Sequence, residues 1–162
     1  MTDALKLEII TALQPSPTLE PMLRYAITAR NLLAGDEQQR QAELIRLTAH
    51  WAEDGVNFLQ IREKDLSAKS LASLSRKIIA STRATGSNIK ILLNSRADIA
   101  IAAAADGVHL TASPHELTPT QIRLLYANAN LPTPIITISC HTLEEVTRII
   151  TQNAASQNPN SQ

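Results

Sequence analysis

The chain has 162 residues, its 15 acidic and 15 basic side chains cancel, and only 2% of it is aromatic. That balance excludes a general nucleic-acid binder, which needs excess Lys and Arg, and a base-stacking platform, which needs aromatic faces. Apolar residues at 44% suffice for a buried core in one domain, and no apolar run approaches the roughly 20 residues that cross a bilayer.

Residues 1–21 read as an N-terminal extension. Leu5, Ile9, Ile10 and Leu13 make one short amphipathic helix, which Pro15, Pro17 and Pro21 break. Glu8 interrupts its apolar stretch, so the layout is not that of a signal peptide. An alternation of apolar runs and helical periodicities follows over residues 22–153. Leu23–Thr28 is a short apolar run. Glu37–Asp54 carries Ala42, Ile45, Ala49 and Ala52 at helical spacing, and Gly55 ends it. Val56–Arg62 is the second apolar run. Ser67–Thr85 is a long helix, capped by Asp65 or Ser67 and closed by Gly86. Ile89–Asn94 is the third strand, Ala97–Ala105 an Ala-rich helix, and Val108–Thr111 the fourth strand. Thr118 caps the helix Pro119–Asn128, with proline at its first position. Ile135–Cys140 is the fifth strand. Leu143–Gln152 is the last helix, opened by a Thr142-x-x-Glu145 capping box. The Asn/Gln/Ser-rich residues 154–162 read as a disordered tail.

Strands alternating with helices through short connections specify a parallel sheet. An open doubly wound sheet and a (β/α)₈ barrel both fit, and either places function at the carboxyl ends of the strands. Cys140 is the only cysteine, so no internal disulfide forms, and a cytoplasmic location fits. The only glycines are Gly35, Gly55, Gly86 and Gly107, and no Gly-rich phosphate loop exists.

The polar residues at the strand ends carry the chemistry. Strand alternation puts Phe58, Gln60, Arg62 and Lys64 on one face and Leu59 and Ile61 on the other. Arg62 and Lys64 suit a phosphate or diphosphate, or else Arg62 pairs with Asp65 on a solvated edge. Asn94 can donate its amide to a ligand oxygen, or belong to a polar turn in which Arg96 pairs with Asp98. His109, flanked by apolar residues, reads as a hydrogen-bonded core residue more readily than as a catalyst. Ser139 and His141 share a face at the fifth strand end. A helix N-terminus disfavours imidazolium, so a neutral His141 is a usable base or a structural partner. His50, His109, His115 and His141 have no zinc-ligand spacing with Cys140, and no metal site is expected from them.

Four segments in order resemble the thiamine phosphate synthase/TenI family: Phe58-Leu-Gln-Ile-Arg-Glu-Lys64, Ile91-Leu-Leu-Asn-Ser-Arg-Ala-Asp-Ile-Ala100, Ala105-Asp-Gly-Val-His-Leu110 and Ile138-Ser-Cys-His-Thr-Leu-Glu-Glu-Val146. The resemblance implies a (β/α)₈ barrel of which about five βα units are present. It implies one of two activities. A synthase joins hydroxymethylpyrimidine diphosphate to a thiazole phosphate with Mg²⁺. A TenI-type tautomerase moves a proton on a thiazole carboxylate phosphate without metal. By resemblance Gln60, Arg62, Lys64 and Asn94 bind the pyrimidine diphosphate, with His109 and Ser139 beside them, and His141 is the tautomerase base. The synthase's two acidic Mg²⁺ ligands are replaced by Ser95 and Pro114. Gln60-x-Arg62-x-Lys64 looks more like the synthase, and Leu110–Arg123 more like TenI.

The family's Gly-rich thiazole-phosphate loops belong to later strands, and no glycine follows Gly107. A C-terminally truncated member is therefore expected, with open sheet edges and a homo-oligomer or barrel-fragment partner covering them. The alternative is a non-catalytic remnant or binding module. No nucleic-acid or membrane partner is expected.

Overall fold

The computed structural model describes residues 22–111, 113 and 115–156. The N-terminal extension and most of the expected tail lie outside the described residues, as does Pro114. Five strands, β1 (Tyr25–Ile27), β2 (Phe58–Ile61), β3 (Lys90–Asn94), β4 (Gly107–Leu110) and β5 (Ile135–Ile138), alternate with five helices, α1 (Glu37–Glu53), α2 (Ala68–Ala84), α3 (Ala97–Ala102), α4 (Pro119–Asn128) and α5 (Leu143–Ser156). A single 3₁₀ turn, Arg30–Leu32, is the one described element the sequence pattern did not announce.

Local chemistry sets the helix starts. Asp36 caps α1 and exchanges bonds with Gln39 in a capping box. Ser67, rather than Asp65, caps α2 by accepting from the Ser70 N–H. The Asp65 carboxylate is held by Arg30 instead. Thr118 and Thr142 cap α4 and α5 as expected. The α3 helix stops at Ala102, short of the expected Ala105, because Ala104 turns left-handed at φ 52° to send the chain into β4. The α5 helix runs past Gln152 to Ser156. Ala154 and Ala155 favour helix, and the first proline beyond them is Pro159.

All strand pairs are parallel, in the spatial order β1-β2-β3-β4-β5. Right-handed crossovers that always advance in one direction put every helix on the same face of the sheet. A doubly wound sheet, whose strand order reverses, is thereby set aside in favour of a barrel segment. Burial agrees. Leu59, Ile61, Ile91, Leu93, Val108 and Leu110 point to the helices and join Leu44, Leu74, Ile78, Ile122 and Tyr126 in one core. Each such aliphatic side chain contributes about 1.5–3 kcal/mol on burial. The Tyr126 hydroxyl donates to the Ala105 carbonyl, and burial pushes its pKa up to about 12.

The opposite face is the concave one. It carries Tyr25, Ile27, Phe58, Gln60, Leu92, Asn94, His109 and Thr137, aligned by the register Ile27↔Gln60↔Leu92↔Gly107 and Asn94↔His109↔Thr137. The Tyr25 hydroxyl on β1 lies 3.5 Å from His109 Nδ1 on β4. Three strand spacings in a flat sheet amount to about 14 Å, so the contact requires a strongly curled sheet. Among the described residues no helix is long and apolar enough to cross a membrane.

Candidate functional site

The carboxyl ends of β2, β3 and β4 surround a cavity of about 410 Å³. Lys64, Asn94, Ser95 and Arg96 line it on one side, and Thr111, Ser113 and Glu116 on the other. The β2 strand ends at Ile61, so Arg62 and Lys64 stand on the loop after it rather than on the strand face. Both are exposed. Asp65, the alternative partner for Arg62, pairs with Arg30. Among the described residues neither Arg62 nor Lys64 has an ion-pair partner within 4 Å. Two cations are therefore available to a ligand. Arg96 is spent on Asp98, as the polar-turn reading expected.

Gln60 is almost fully buried on the concave face. Its Oε1 accepts from the Tyr25 hydroxyl at 3.2 Å, and its Nε2 donates to Asn94 Oδ1 at 2.7 Å. Asn94 Nδ2 donates to Ser95 Oγ at 3.1 Å, and the Ser95 hydroxyl donates to Glu116. The Glu116 carboxylate also takes the Thr111 N–H at 2.7 Å and the Thr111 hydroxyl at 2.9 Å. Ser95 sits in the left-handed region at φ 58°, where a non-glycine residue carries strain.

His109 is half-buried between two hydroxyls. Thr137 Oγ1 lies 2.8 Å from Nδ1 and Ser139 Oγ 3.0 Å from Nε2. Its pKa is held below the ordinary 6.5, first by burial, with Arg62 adding to the effect and Glu116 opposing it. The neutral ring can donate to one hydroxyl and accept from the other. A depressed imidazole favours the fold above pH 6.5 and costs stability as pH falls through its folded value. In urea titrations, replacing His109 by Gln should therefore flatten the parent's loss of stability as pH falls below about 6.5. Parallel pH profiles for the two proteins would contradict this.

His141 lies apart from that network. It is exposed at the start of α5. Its backbone N–H donates to the Glu145 carboxylate at 2.6 Å, a bond that holds the Glu145 pKa below its usual range. The structure thus joins Gln60, Asn94, His109 and Ser139 into one concave face, sets Lys64 at the cavity and Arg62 near His109, and leaves His141 outside that network. Three members were missed in the sequence. Tyr25 and Thr137 were legible from strand alternation, Thr137 sharing its parity with Ser139. Glu116 had no periodic signal, because it reaches the site from a loop.

A family model described as TMP-TENI, thiamine monophosphate synthase, matches residues 25–157. The chain is 31% identical over 121 residues to the thiamine-phosphate synthase of Caldanaerobacter subterraneus subsp. tengcongensis, covering 75% of this chain and 50% of that protein. It is 29% identical over 109 residues to the thiamine-phosphate synthase of Solidesulfovibrio magneticus, covering 67% and 46%. The chain spans about half the length of these curated relatives. Among solved structures, the thiamine phosphate pyrophosphorylase from Pyrococcus furiosus superposes with a TM-score of 0.62 at 22% identity, over 80% of this chain and 55% of that one. That likeness concerns the fold, a TIM-barrel-like arrangement that this chain shares in part. With the strand-end motifs, the barrel segment and a family match over most of its length, the chain belongs to the thiamine monophosphate synthase (TMP-TENI) family.

Proposed function

We propose that this chain serves thiamine biosynthesis by supplying the pyrimidine-diphosphate half of a synthase-type site. The observation that carries this reading is the cavity at the strand ends, where Lys64 stands with Asn94 and Ser95 and has no ion-pair partner among the described residues. Arg62 and Lys64 provide positive charge for a diphosphate, and Asn94 keeps one amide proton beyond the one given to Ser95. Negative charge that develops on a departing diphosphate is stabilised by such prepositioned donors. A neutral His109 between Thr137 and Ser139 can hold or pass a proton beside them. A cytoplasmic setting suits a chain whose one thiol is Cys140.

A divalent cation is the usual companion of a diphosphate, and the donor set here does not suit one. Ser95 offers a neutral hydroxyl already donated to Glu116. Glu116 accepts three hydrogen bonds, and Glu63 is engaged by Arg30. Among the described residues no three His, Cys, Asp or Glu side chains converge. Hard cations want free carboxylate oxygens, so no step is assigned to a metal.

Replacing Lys64 by Ala should weaken inorganic diphosphate binding about 10–100-fold, as expected for one charge-assisted contact. Isothermal titration reads this directly. Unchanged affinity would remove Lys64 from the site, and no binding by the parent at millimolar diphosphate would sink the reading.

The same metal-poor donor set favours a second reading, proton transfer on a thiazole carboxylate phosphate. The exposed His141 at the start of α5 and the neutral His109 are its candidate bases. Tautomerase turnover abolished in His141→Ala but not His109→Ala would assign the base to His141, and the reverse pattern to His109. A non-catalytic binding role is tied to the sheet edges. Ile27 on β1 is 51% exposed, and Leu143 and Ile150 on α5 are 82% and 63% exposed. Strand–helix units of the same kind, on this or another chain, would cover them. Sedimentation showing a monomer of unchanged stability at all concentrations would count against a second copy in that place.

A further inference from the structure

Five polar side chains, starting on the concave face and ending on the loop after β4, form a single directed chain. Tyr25 donates to Gln60, Gln60 to Asn94, Asn94 to Ser95, and Ser95 to Glu116. It crosses from β1 to the loop after β4, and every donor points the same way. Four of its members can reverse, since hydroxyls rotate and amides flip. An ionised carboxylate cannot, because it only accepts. The Thr111 N–H, also fixed as a donor, presses the Glu116 side chain into that role.

We propose that Glu116 is a positioning residue that sets the polarity of the whole network and thereby makes the cavity a donor-presenting site for an oxyanion of the phosphate or diphosphate class. The Glu116 carboxylate, held by the Thr111 N–H, obliges Ser95 to donate. The Ser95 oxygen is then left to accept, which turns Asn94 Nδ2 toward it and Asn94 Oδ1 toward Gln60. Asn94 lines the cavity, and its second amide proton remains for a ligand oxygen. With the opposite polarity Asn94 would offer the cavity a carbonyl oxygen, which repels an anion. Glu116 need not touch the ligand. It acts through Ser95, whose left-handed backbone holds the hydroxyl where Glu116 reaches it. Aligned hydrogen bonds also polarise one another, which strengthens a chain that ends on a charge. This proposal rests on reading the cavity as an anion site only for its ligand class. The polarity of the network stands independently of that reading.

The test uses the full chain, ¹⁵N-labelled, with Glu116→Gln as an isosteric variant and inorganic diphosphate as probe. Glu116→Gln should shift the side-chain amide signals of both Gln60 and Asn94, although Gln60 bonds Tyr25 and Asn94 rather than residue 116. Ser95→Ala, which cuts the chain one link earlier, should shift the same signals, and the double variant should add nothing further. A merely structural role for Glu116 would lower the melting temperature and leave the Gln60 signal in place. Diphosphate affinity should fall about tenfold in Ser95→Ala, which breaks the link to Glu116 without changing the charge lining the cavity. Unmoved amide signals in both variants, or additive effects in the double variant, would overturn the proposal. If the parent binds no diphosphate, the anion reading fails while the amide signals still decide the role of Glu116.

Discussion

Replacing Arg30 by Ala is expected to lower the unfolding free energy by about 3–5 kcal/mol, the cost of leaving a buried charge without its partner. Arg30 is 5% exposed and Glu63 4%. The guanidinium bonds Asp65 through both terminal nitrogens at 2.7 Å, Glu63 at 3.0 Å and Glu37 at 2.9 Å. The Arg30 backbone N–H adds a bond to Glu63 at 3.1 Å. Three segments are thus tied at one point: the turn after β1, the start of α1 and the loop after β2. That last loop carries Arg62 and Lys64, so the damage should reach the cavity. Arg30→Lys keeps the charge but loses the planar fork, and should fall between parent and Ala. The Asp65 and Glu37 carboxyls are held below their ordinary values, chiefly by hydrogen bonds from Arg30. Their contribution is therefore present above the ordinary carboxylate range and disappears as pH falls through their depressed values. Urea unfolding of the three proteins checks the order. An Ala variant within about 1 kcal/mol of the parent would show that hydration replaces the guanidinium cheaply.

Gly107→Ala should cost about 2–3 kcal/mol by overpacking against backbone, and the loss should concentrate in β5. A Cβ at Gly107 would fall 1.8 Å from the Ile135 carbonyl oxygen and 2.7 Å from its carbon. Backbone cannot swing aside as a side chain can, so β4 and β5 must separate at their Gly107↔Ile135 register position. Among the described residues the β5 strand lies at the sheet edge, with no outer strand to hold it. Hydrogen exchange should show faster exchange at Ile135 and Ser139, whose amides donate to Asp106 and Leu110, than at β3. At Gly86, by contrast, a Cβ meets nothing within 4 Å, and alanine there is opposed by the positive φ of 73° rather than by a clash. Uniform protection across all strands in Gly107→Ala would refute the local account. Because Thr137 and Ser139 flank His109, the variant should also loosen its ring.

Most of the secondary structure was legible because it depends on near neighbours. Helical spacing, caps at Ser67, Thr118 and Thr142, and Gly55 and Gly86 as stops are properties of a few consecutive residues, and the elements formed there within a few positions. Alternation also sorted the faces correctly on β2, with Gln60 inward and Leu59 and Ile61 toward the helices. The errors came where a distant partner decided the outcome. Asp65 looked like a cap or a partner for Arg62, and is neither, because Arg30 lies 35 positions away in sequence and within 2.7 Å in space.

The candidate site divides along the same line. Gln60, Arg62, Lys64, Asn94, His109, Ser139 and His141 stand out in the sequence because polar residues at the ends of apolar strands conflict with burial, and strand ends are where a parallel sheet exposes its chemistry. The order of those motifs identifies the family. What they do to one another is decided by curvature. Only a curled sheet brings Tyr25 to His109, and only a loop folded back over the strand ends brings Glu116 to Ser95. Side-chain identity and spacing therefore determine the elements and the residues available. The tertiary structure alone determines which of them share hydrogen bonds across the sheet, because contacts such as Ser95–Glu116 and Tyr25–His109 span 21 and 84 positions and no local pattern encodes a distance across a sheet.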